Sequence, residues 1–600
     1  MINVIKDIFG TIPLSKRRVF FFLQALVLLM SLFELIGVAL IVPFFTILTE
    51  PELIESSSML LNVKDYFNIS GNKQLLIYLG ISLIGVITLS SILSIYTNWK
   101  LLLYTYSIGA YTSNKLYAHY LRLPWMHHAN NSSSEMISYA TIEVDRFVGN
   151  ILSPFSIITS RVFIAILIIG ALIIYEPIII IFGSLIFSAL YFSVFFFIKN
   201  ILEKNSEIQV TSLKERFKQL NEGLGGIKEI ILRNNQSEFI SKYSSSTDSA
   251  FKYRGINGAL VYVPRYYLEL LAYGALIGFA LISFYTDKDG TQLLQSLSIF
   301  AVASIKLLPA IHQIFYNVGT IQGSIKSLEV IKEEVGKANN AKKMDVEKTH
   351  KKIHFLNKLA FKNVFFKYPL HERKVLNNVT FEIKKGEVIG VAGSSGSGKT
   401  TIADLILGLI NPTKGLIQID DQILGSENLL SWQEMLSYVP QNTFILEGSI
   451  KENITFGSND ETENSKNLLN DAIDKAGLRE FIESLPKGVE TEVGEKGYMI
   501  SGGQKQRIGI ARAFYNKSKF IIFDEATNAQ DNITEAEILK SIFDHKDKFT
   551  FLIIAHRLST LENCDNILFL KNGEISDSGN FNKLKETSKE FKAMLETKKQ

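Results

Sequence analysis

Residues 388–400 read Val388-Ile-Gly-Val-Ala-Gly393-Ser-Ser-Gly-Ser-Gly-Lys399-Thr400. The stretch begins as an apolar strand, passes through a glycine-rich loop and continues into helical sequence from Thr401 to Leu409. In such a loop the glycines let backbone N–H groups approach phosphate oxygens, and the helix N-terminus adds the positive end of its dipole. The stretch therefore predicts a P-loop, a phosphate-binding loop on an α/β sheet.

Different side chains of this loop are predicted to contact the nucleotide and its metal ion. We expect Lys399 to reach the β- and γ-phosphates of ATP, and Thr400 to offer its hydroxyl to Mg²⁺. The predicted ATP-binding residues of the loop are Gly393, Ser394, Ser395, Gly396, Ser397, Gly398, Lys399, Thr400 and Thr401.

Two carboxylates follow a second apolar run, Phe520-Ile-Ile-Phe-Asp524-Glu525. An open α/β sheet binds its ligands beyond the carboxyl ends of its strands. We predict that Asp524 serves Mg²⁺ and that Glu525 positions and deprotonates the attacking water, because phosphoryl transfer depends on positioning and charge stabilisation. His556 follows a third strand, residues 551–555, and is either a γ-phosphate contact or a structural histidine.

The composition indicates that part of the chain faces lipid. Of 600 residues, 47% are hydrophobic and 11% aromatic, which exceeds the need of a soluble chain. The 63 basic and 59 acidic residues nearly balance, so nucleic acid is not an expected partner. One cysteine, Cys564, excludes an intramolecular disulfide and a cysteine-built zinc site.

The first half of the chain contains apolar stretches long enough to cross a bilayer. Because the first follows Lys16-Arg-Arg18, is too long for a signal peptide and lacks a small-residue cleavage site, we interpret it as a membrane helix. The bias of lysine and arginine places the N-terminus and the long loops in the cytosol, and six crossings return the chain there. The predicted spans are residues 19–48, 75–104, 148–175, 177–199, 259–285 and 292–319.

The fold class predicted is an α-helical six-span transmembrane domain followed by an α/β P-loop ATPase domain. We expect the transmembrane domain over residues 1–332, a lysine-rich linker over 333–358 and the cytosolic ATPase domain over 359–600. The ATPase strands are expected near residues 387–392, 417–419, 520–523 and 550–554, in a largely parallel sheet.

One motif makes the family resemblance specific. Ile500-Ser-Gly-Gly-Gln504 lies between the P-loop and the Asp-Glu strand and resembles the signature sequence of ABC-transporter ATPases. The resemblance implies further roles: adenine stacking by Tyr368, a Q-loop glutamine at Gln441 that also serves the metal, a D-loop aspartate at Asp531 and a switch histidine at His556. It implies that ATP contacts Ser501, Gly502, Gly503 and Gln504 of a second copy, so that the working unit is a homodimer.

The chain departs from the family pattern at two places, and three other segments resemble those of exporters. Ile500 replaces the usual leucine, a volume-conserving change. The D-loop reads Asn528-Ala-Gln-Asp531, which affects communication between two ATP sites without removing Lys399 or Glu525. Thr491-Glu-Val-Gly-Glu495 resembles an exporter segment that meets the membrane domain, and residues 132–142 and 223–233 resemble coupling helices.

Ionisable residues at membrane depth are costly and count as functional candidates. The candidate cargo contacts are Glu34, Arg161, Arg265 and Lys306. Two interpretations remain open: Arg265 pairs only with Glu269 and Glu34 only with a neighbouring helix, or the cations face a cavity that receives an anionic head group.

Four segments resemble bacterial lipid-linked oligosaccharide flippases of the PglK type, namely residues 34–44, 60–69, 263–269 and 306–309. The resemblance implies a lipid-linked anionic cargo with a pyrophosphate, a sugar chain and a polyprenyl tail, and a multi-pass protein of the bacterial inner membrane. The segment 60–69 is either a helix on the membrane surface or an ordinary loop helix. The alternatives are an exporter of peptides or hydrophobic small molecules and an ATP-gated channel or sensor.

Overall fold

The computed structural model describes most of the chain, in two compact units. One unit consists of Met1–Leu123 and His127–Lys342, the other of Pro124–Met126 and Lys343–Gln600. The described residues are 2–49, 62, 64–66, 69, 71–175, 177–285, 290–340, 351–369, 374–458, 462–494, 497–516, 518–525, 532–555 and 557–597. Half of the segment 60–69, namely residues 60, 61, 63, 67 and 68, therefore lies outside the described residues.

The first unit is helical. Its helices are α1 Ile2–Thr11, α2 Leu14–Thr49, α3 Asn72–Leu121, α4 Trp125–Asn130 (whose first two residues group with the second unit), α5 Ser133–Ser138, α6 Val144–Phe147, α7 Ser153–Tyr175, α8 Pro177–Gly225, α9 Ile227–Leu232, α10 Gln236–Tyr285, α11 Gly290–Gln322 and α12 Ile325–Asn340. Two π-helical turns, π1 Tyr139–Glu143 and π2 Val148–Leu152, flank α6.

Each predicted membrane span falls inside one of the long helical segments of this unit. By length and composition, three stretches within the described residues are able to cross a membrane: Leu14–Phe45, Asn72–Leu121 and Ser133–Ile174. The other three predicted spans lie in α8, α10 and α11. α2 packs along α3, α7 along α11 and α8 along α10, so the long helices are neighbours in pairs.

The core of the helical unit lies where α3 meets the π-helical turns. Ile108 and Phe147 are completely buried there. A Cβ atom on Gly109 would lie 2.4 Å from a methyl carbon of Val148, so only glycine permits this approach of α3 to π2. The helix α12 joins the same core through Ile331 and extends to Asn340, into the first part of the predicted linker.

The second unit contains two sheets. The strands are β1 Lys358–Phe366, β2 Leu376–Lys384, β3 Val388–Gly393, β4 Lys414–Ile419, β5 Gln422–Ile423, β6 Leu436–Val439, β7 Phe520–Asp524, β8 Thr550–Ile554, β9 Asn566–Lys571 and β10 Glu574–Gly579. The six-stranded sheet has the order β10-β9-β3-β8-β7-β6 and is parallel except for β10. The four-stranded sheet, β2-β1-β4-β5, is antiparallel and was not predicted. The strand predicted at residues 417–419 forms as β4, but it belongs to this sheet and not to the parallel one.

Helices surround the parallel sheet. They are α13 Lys399–Ile406, α14 Leu429–Gln433, α15 Ile450–Thr455, α16 Glu463–Lys475, α17 Arg479–Glu483, α18 Gly502–Tyr515, α19 Asn532–Asp544, α20 Phe581–Thr587 and α21 Lys589–Thr597, with 3₁₀ turns at Gly488–Glu490 and Leu558–Leu561. Val388 and Ala392 of β3 face one core, whereas Ile389 and Val391 face the other. Burial on both faces explains why this strand is apolar without alternation.

Candidate ATPase site and intramembrane charges

The P-loop is fixed by close approaches that only glycine allows. Gly398 precedes α13 with a φ of 106°, and a Cβ atom there would lie 2.6 Å from Leu376. A Cβ atom on Gly393 would lie 2.3 Å from the carbonyl oxygen of Leu570. The loop therefore passes from β3 into α13 along one narrow path, which exposes its backbone N–H groups as a phosphate cradle.

The polar groups inside this cradle fit a phosphate. The ammonium Nζ of Lys399 donates to the carbonyl oxygens of Gly393 and Ser394, both at 3.0 Å, so the cation lies over the loop. The hydroxyl of Ser397 is buried with no hydrogen-bond partner among the described residues. A buried donor without a partner is costly, and a phosphate oxygen would satisfy it.

Asp524 lies at the carboxyl end of β7, as predicted, and is held from two sides. The hydroxyl of Tyr438 donates to its Oδ2 at 3.2 Å, and Thr400 hydrogen-bonds to the same carboxylate. Burial raises the pKa of Asp524 above its usual range, and the charge of Glu525 adds to this; the two hydrogen bonds and the charge of Lys399 oppose it. The predicted metal-binding pair Thr400 and Asp524 is thus assembled.

The sequence did not predict a partly buried carboxyl, Asp404, beside this pair. Burial, together with the nearby charge of Asp524, raises the pKa of Asp404 on α13 to about 6. Within the described residues no group of three His, Cys, Asp or Glu side chains forms a metal cage. One carboxylate and one hydroxyl suit Mg²⁺, which keeps waters and binds substrate phosphates.

Glu525 directly follows β7 and has an unusual backbone conformation. Its φ of 55° lies in the left-handed region, which costs a non-glycine residue about 1 kcal/mol or more. Its N–H donates to the carbonyl of Ile554 at 2.9 Å, which fixes the turn. The amide Nε2 of Gln441 donates to Glu525 Oε2 at 2.8 Å, so the predicted base and the predicted Q-loop glutamine are in contact.

The signature segment is a capping box at the start of α18. The hydroxyl of Ser501 accepts from the backbone N–H of Gln504 at 3.2 Å, and the side chain of Gln504 accepts from the backbone N–H of Ser501 at 2.8 Å. Ser501 and Gly502 are exposed. The helix N-terminus is therefore ordered and accessible, and the positive end of its dipole suits an anion.

One face of α18 holds the Q-loop, which the sequence did not reveal. Gln506 donates to the carbonyl of Gln441 at 3.4 Å, and Arg512 donates to the carbonyl of Phe444 at 3.1 Å. Between them, a Cβ atom on Gly509 would lie 2.7 Å from the hydroxyl oxygen of Thr443. The spacing of three residues places these groups on one helical face, although their partners lie about 65 residues earlier.

The remaining predicted ATP-site residues are placed in part. Tyr368 lies just beyond β1, and its ring packs edge-on against Phe366 with centroids 4.8 Å apart. Asp531 and His556 lie outside the described residues, and so does the rest of the D-loop.

The intramembrane charges are paired within the chain. Arg265 and Glu269 of α10 form an ion pair of 2.8 Å, and Glu34 accepts from Ser94 at 2.8 Å while Lys306 Nζ lies 3.8 Å from its other oxygen. Both pairings of the structural interpretation are present. Even so, the side chains of Arg265 and Lys306 keep 49% and 47% of their surface exposed.

A third cation in this region, Arg161 of α7, has a neutral partner. Its Nε donates to Gln313 Oε1 of α11 at 2.5 Å. Of the four cargo candidates, Glu34 and Lys306 thus lie together, whereas Arg161 and Arg265 have separate partners, Gln313 and Glu269.

Comparison with known proteins agrees with this architecture. Residues 19–302 match the family model of the ABC transporter transmembrane region, and residues 376–528 match that of the ABC transporter. A solved bacterial Atm1-family ABC exporter with ATP bound superposes over 98% of both chains with a TM-score of 0.78 and 21% identity. The fold predicted from the sequence is confirmed.

Curated relatives align over part of their length. A multidrug resistance ABC transporter ATP-binding and permease protein of Lactococcus lactis is 32% identical over 61% of this chain and 60% of its own. An ATP-dependent lipid A-core flippase of Shewanella frigidimarina is 40% identical over 38% of each chain. A putative export ATP-binding/permease protein of Rickettsia bellii is 38% identical over 38% of this chain and 40% of its own. The chain thus spans between two fifths and three fifths of these relatives.

Proposed function

We propose that this chain, which joins an ABC transporter transmembrane region to an ABC transporter ATPase domain, couples ATP hydrolysis to export or flipping of a cargo across a membrane. The observation that supports the ATPase part is the contact between Gln441 and Glu525 at the carboxyl end of β7, beside the P-loop. It holds a carboxylate next to the phosphate cradle, where a general base is required.

Each ATP-site residue has a distinct role in this proposal. Lys399 and the loop N–H groups bind the outer phosphates, and Thr400 with Asp524 holds Mg²⁺, which neutralises charge that develops on the phosphoryl oxygens. Glu525 accepts the proton of the attacking water, and Gln441 keeps its carboxylate oriented through the 2.8 Å hydrogen bond. We further propose that Tyr368 stacks on adenine and that Asp531 and His556 complete the site.

We propose a homodimer as the working unit. The chain contains one P-loop and one signature segment, and the exposed capping box at Ser501 is suited to contact a nucleotide held by another copy. The domains are proposed to span residues 1–332 and 359–600 with a linker between them. The protein is proposed to lie in the bacterial inner membrane, with its N-terminus and ATPase domain in the cytosol because the basic loops lie on that side.

For the cargo we propose a polyprenyl-pyrophosphate-linked oligosaccharide. The half-exposed side chains of Arg265 and Lys306 carry this proposal, because a charge at membrane depth normally faces a water-filled cavity. Arg161, Arg265 and Lys306 are three cations against the two carboxylates Glu34 and Glu269, which leaves one positive charge per chain, counted from their side-chain types. An anionic head group would be attracted to this excess.

The surroundings of Arg265 suit a polar head group. Tyr266, Tyr267 and Tyr273 are each more than half exposed on α10. Tyrosine rings offer flat contact area together with a hydroxyl that forms hydrogen bonds. Relatives described as lipid A-core flippases support a lipid cargo, whereas the multidrug relative favours a hydrophobic small molecule as the alternative.

The first experiment is ATP-dependent translocation of a polyprenyl-pyrophosphate oligosaccharide in proteoliposomes, with Glu525→Gln as the control. We expect flipping by the natural protein and none by the variant. If neither flips this lipid while the natural protein hydrolyses ATP, the cargo proposal is wrong and hydrophobic small molecules are tested next. Passive flux that merely requires ATP would indicate a gated channel.

The role of Arg265 is tested by replacing first Arg265 alone, and then both Arg265 and Glu269, with glutamine. Arg265→Gln alone leaves Glu269 without its partner, whereas Arg265→Gln with Glu269→Gln removes the whole pair. If Arg265 binds the cargo, both proteins lose translocation. Recovery in the double variant would mean that the pair has only a structural role. Lys306→Gln, alone and with Glu34→Gln, is compared in the same way.

A further inference from the structure

A second polar cavity lies in the helical unit, away from Arg265 and Lys306. Its volume is about 370 Å³, within the range of roughly 300 to 1,000 Å³ typical of small-molecule sites. Its walls come from α6, π2, α8, α10 and α11. We call it the arginine cavity, because Arg146, Arg216 and Arg254 line it and its described lining residues include no carboxylate.

The three arginines differ in how far they are satisfied. Arg146 bonds to Glu143 at 3.1 Å and to Gln209 at 3.5 Å, so its charge is compensated. Arg216 donates to the hydroxyl of Tyr243 at 3.2 Å, and its Nε is buried without a hydrogen-bond partner among the described residues. Arg254 is exposed, and the described part of the chain places no carboxylate within ion-pair distance of it.

Two guanidinium groups therefore share a cavity without a counter-charge. The guanidinium of Arg216 is fixed in place, since it stacks over the rings of Tyr243 and Phe251 at 5.6 Å and 5.3 Å. A planar, fixed fork of donors matches phosphate oxygens better than a flexible ammonium does. Like charges in one cavity repel each other, so an anion that binds between them is favoured.

The cavity wall is built to stay open and polar. Asn257 is buried and accepts from Asn205 at 2.8 Å, which holds α8 against α10. Cβ atoms on Gly319 of α11 and on Gly323, which follows it, would lie 3.0 Å from Val261 and 3.1 Å from Asn257, so α10 packs closely against these glycines. The cavity also adjoins the two π-helical turns, a feature that recurs at functional sites.

We propose that the arginine cavity binds the phosphate or pyrophosphate group of the cargo on the cytoplasmic side, before that group reaches Arg265 and Lys306. This inference rests on the proposed function. Arg254 precedes Arg265 by 11 residues on α10, which corresponds to about 16 Å along a helix. The two sites are thus separate positions along one helix.

The test measures cargo-stimulated ATPase activity of the full chain in proteoliposomes as the lipid concentration is varied. For Arg254→Gln we expect the half-saturating concentration of the polyprenyl-pyrophosphate oligosaccharide to rise about tenfold relative to the natural protein. Arg254→Lys should recover part of the loss. Lys252→Gln removes the same charge from an exposed position two residues away and should change nothing. If Arg254→Gln and Lys252→Gln had equal half-saturating lipid concentrations, the proposal would be overturned.

A second readout separates this inference from the cargo proposal. Binding of inorganic pyrophosphate is measured by calorimetry in detergent, with the ATP sites saturated by MgADP. If the natural protein ignores the lipid but Arg254→Gln weakens pyrophosphate binding, the cargo proposal fails and the phosphate site stands. Unchanged pyrophosphate binding overturns the site as well. Weakened pyrophosphate binding with unchanged lipid saturation assigns the cavity to a soluble phosphate compound and overturns its role for cargo.

Discussion

The side-chain amide of Gln441 donates a 2.8 Å hydrogen bond to the carboxylate of Glu525, across 84 residues of sequence. The bond joins the loop after β6 to the residue after β7, and these two strands are parallel neighbours. It occupies the Oε2 oxygen of Glu525. Gln441 therefore controls where the proposed base points.

Gln441→Ala should lower the kcat of ATP hydrolysis on the order of 10- to 100-fold, because Glu525 loses the contact that orients it. ATP affinity should change little, since the phosphate cradle is untouched. Steady-state ATPase kinetics and nucleotide binding measure the two effects. Gln422→Ala, on the exposed strand β5, is the control. An unchanged kcat would mean that the bond has no catalytic role.

Ser501→Ala should destabilise the ATPase unit by about 1 kcal/mol, since it removes the N-cap of α18. The same substitution at Ser449, which forms a capping box with Glu452 at the start of α15, should cost as much. Only Ser501→Ala should also reduce ATPase activity. Chemical denaturation and ATPase assays on both variants check this. Equal activity of the two would assign Ser501 a capping role alone.

Gly509→Ala should reduce ATPase activity and stability by displacing the Q-loop, because the new methyl group would lie 2.7 Å from Thr443 Oγ1. The expected destabilisation is about 1 to 3 kcal/mol. Thr443→Ala removes the two atoms that clash, and its hydroxyl is buried without a partner in the described chain. The double variant should therefore recover activity. A double-mutant cycle with additive effects would contradict this contact.

Asp404→Asn should stabilise the nucleotide-free protein at pH 7.5 and have little effect near pH 4. Burial raises the pKa of Asp404 to about 6 in the folded state, from 3.8. A raised carboxyl pKa means that ionisation opposes folding, so the penalty is absent below pH 4 and complete above about pH 6. The residue is partly exposed, so we expect about 1 to 2 kcal/mol.

Unfolding in EDTA at several pH values measures this effect. Glu387→Gln, at a partly buried carboxyl before β3, is the matched control for the loss of one negative charge. A stabilisation that does not depend on pH would show that the amide acts through packing.

The sequence predicted three central strands of the parallel sheet, β3, β7 and β8, and assigned the strand at residues 417–419 to the wrong sheet. Strands such as β3 and β7 are continuous apolar runs that end in recognisable ligands. In contrast, β1 contains irregular pairing with β2 and a left-handed Asn363, so its alternation of buried and exposed residues is interrupted. Local periodicity cannot identify a strand whose pleat is broken.

The sequence predicted those site residues whose type the chemistry requires. It did not predict contacts between residues that are distant in sequence. Lys399 begins the helix that follows β3, and Asp524 and Glu525 stand at the end of β7, so their roles follow from topology. The support of the Q-loop by Gln506 and Arg512 depends on how α18 packs, and no local pattern encodes it. The arginine cavity likewise combines residues from four separate segments.

The π-helical turns between Tyr139 and Leu152 have a consequence for how this chain tolerates insertions and deletions. A π-helical turn accommodates one residue more than an α-helical turn, so each acts as a local excess of chain length. Deleting one residue within Tyr139–Glu143 would be absorbed by reversion to an α-helix, so the following side chains, Arg146 and Arg161 among them, would keep their faces. A deletion in the regular α-helix α7 has no such surplus and would turn every following side chain by about 100° around the axis. The helix that carries parts of two separate sites thus tolerates the loss of one amino acid only at its π-helical turns.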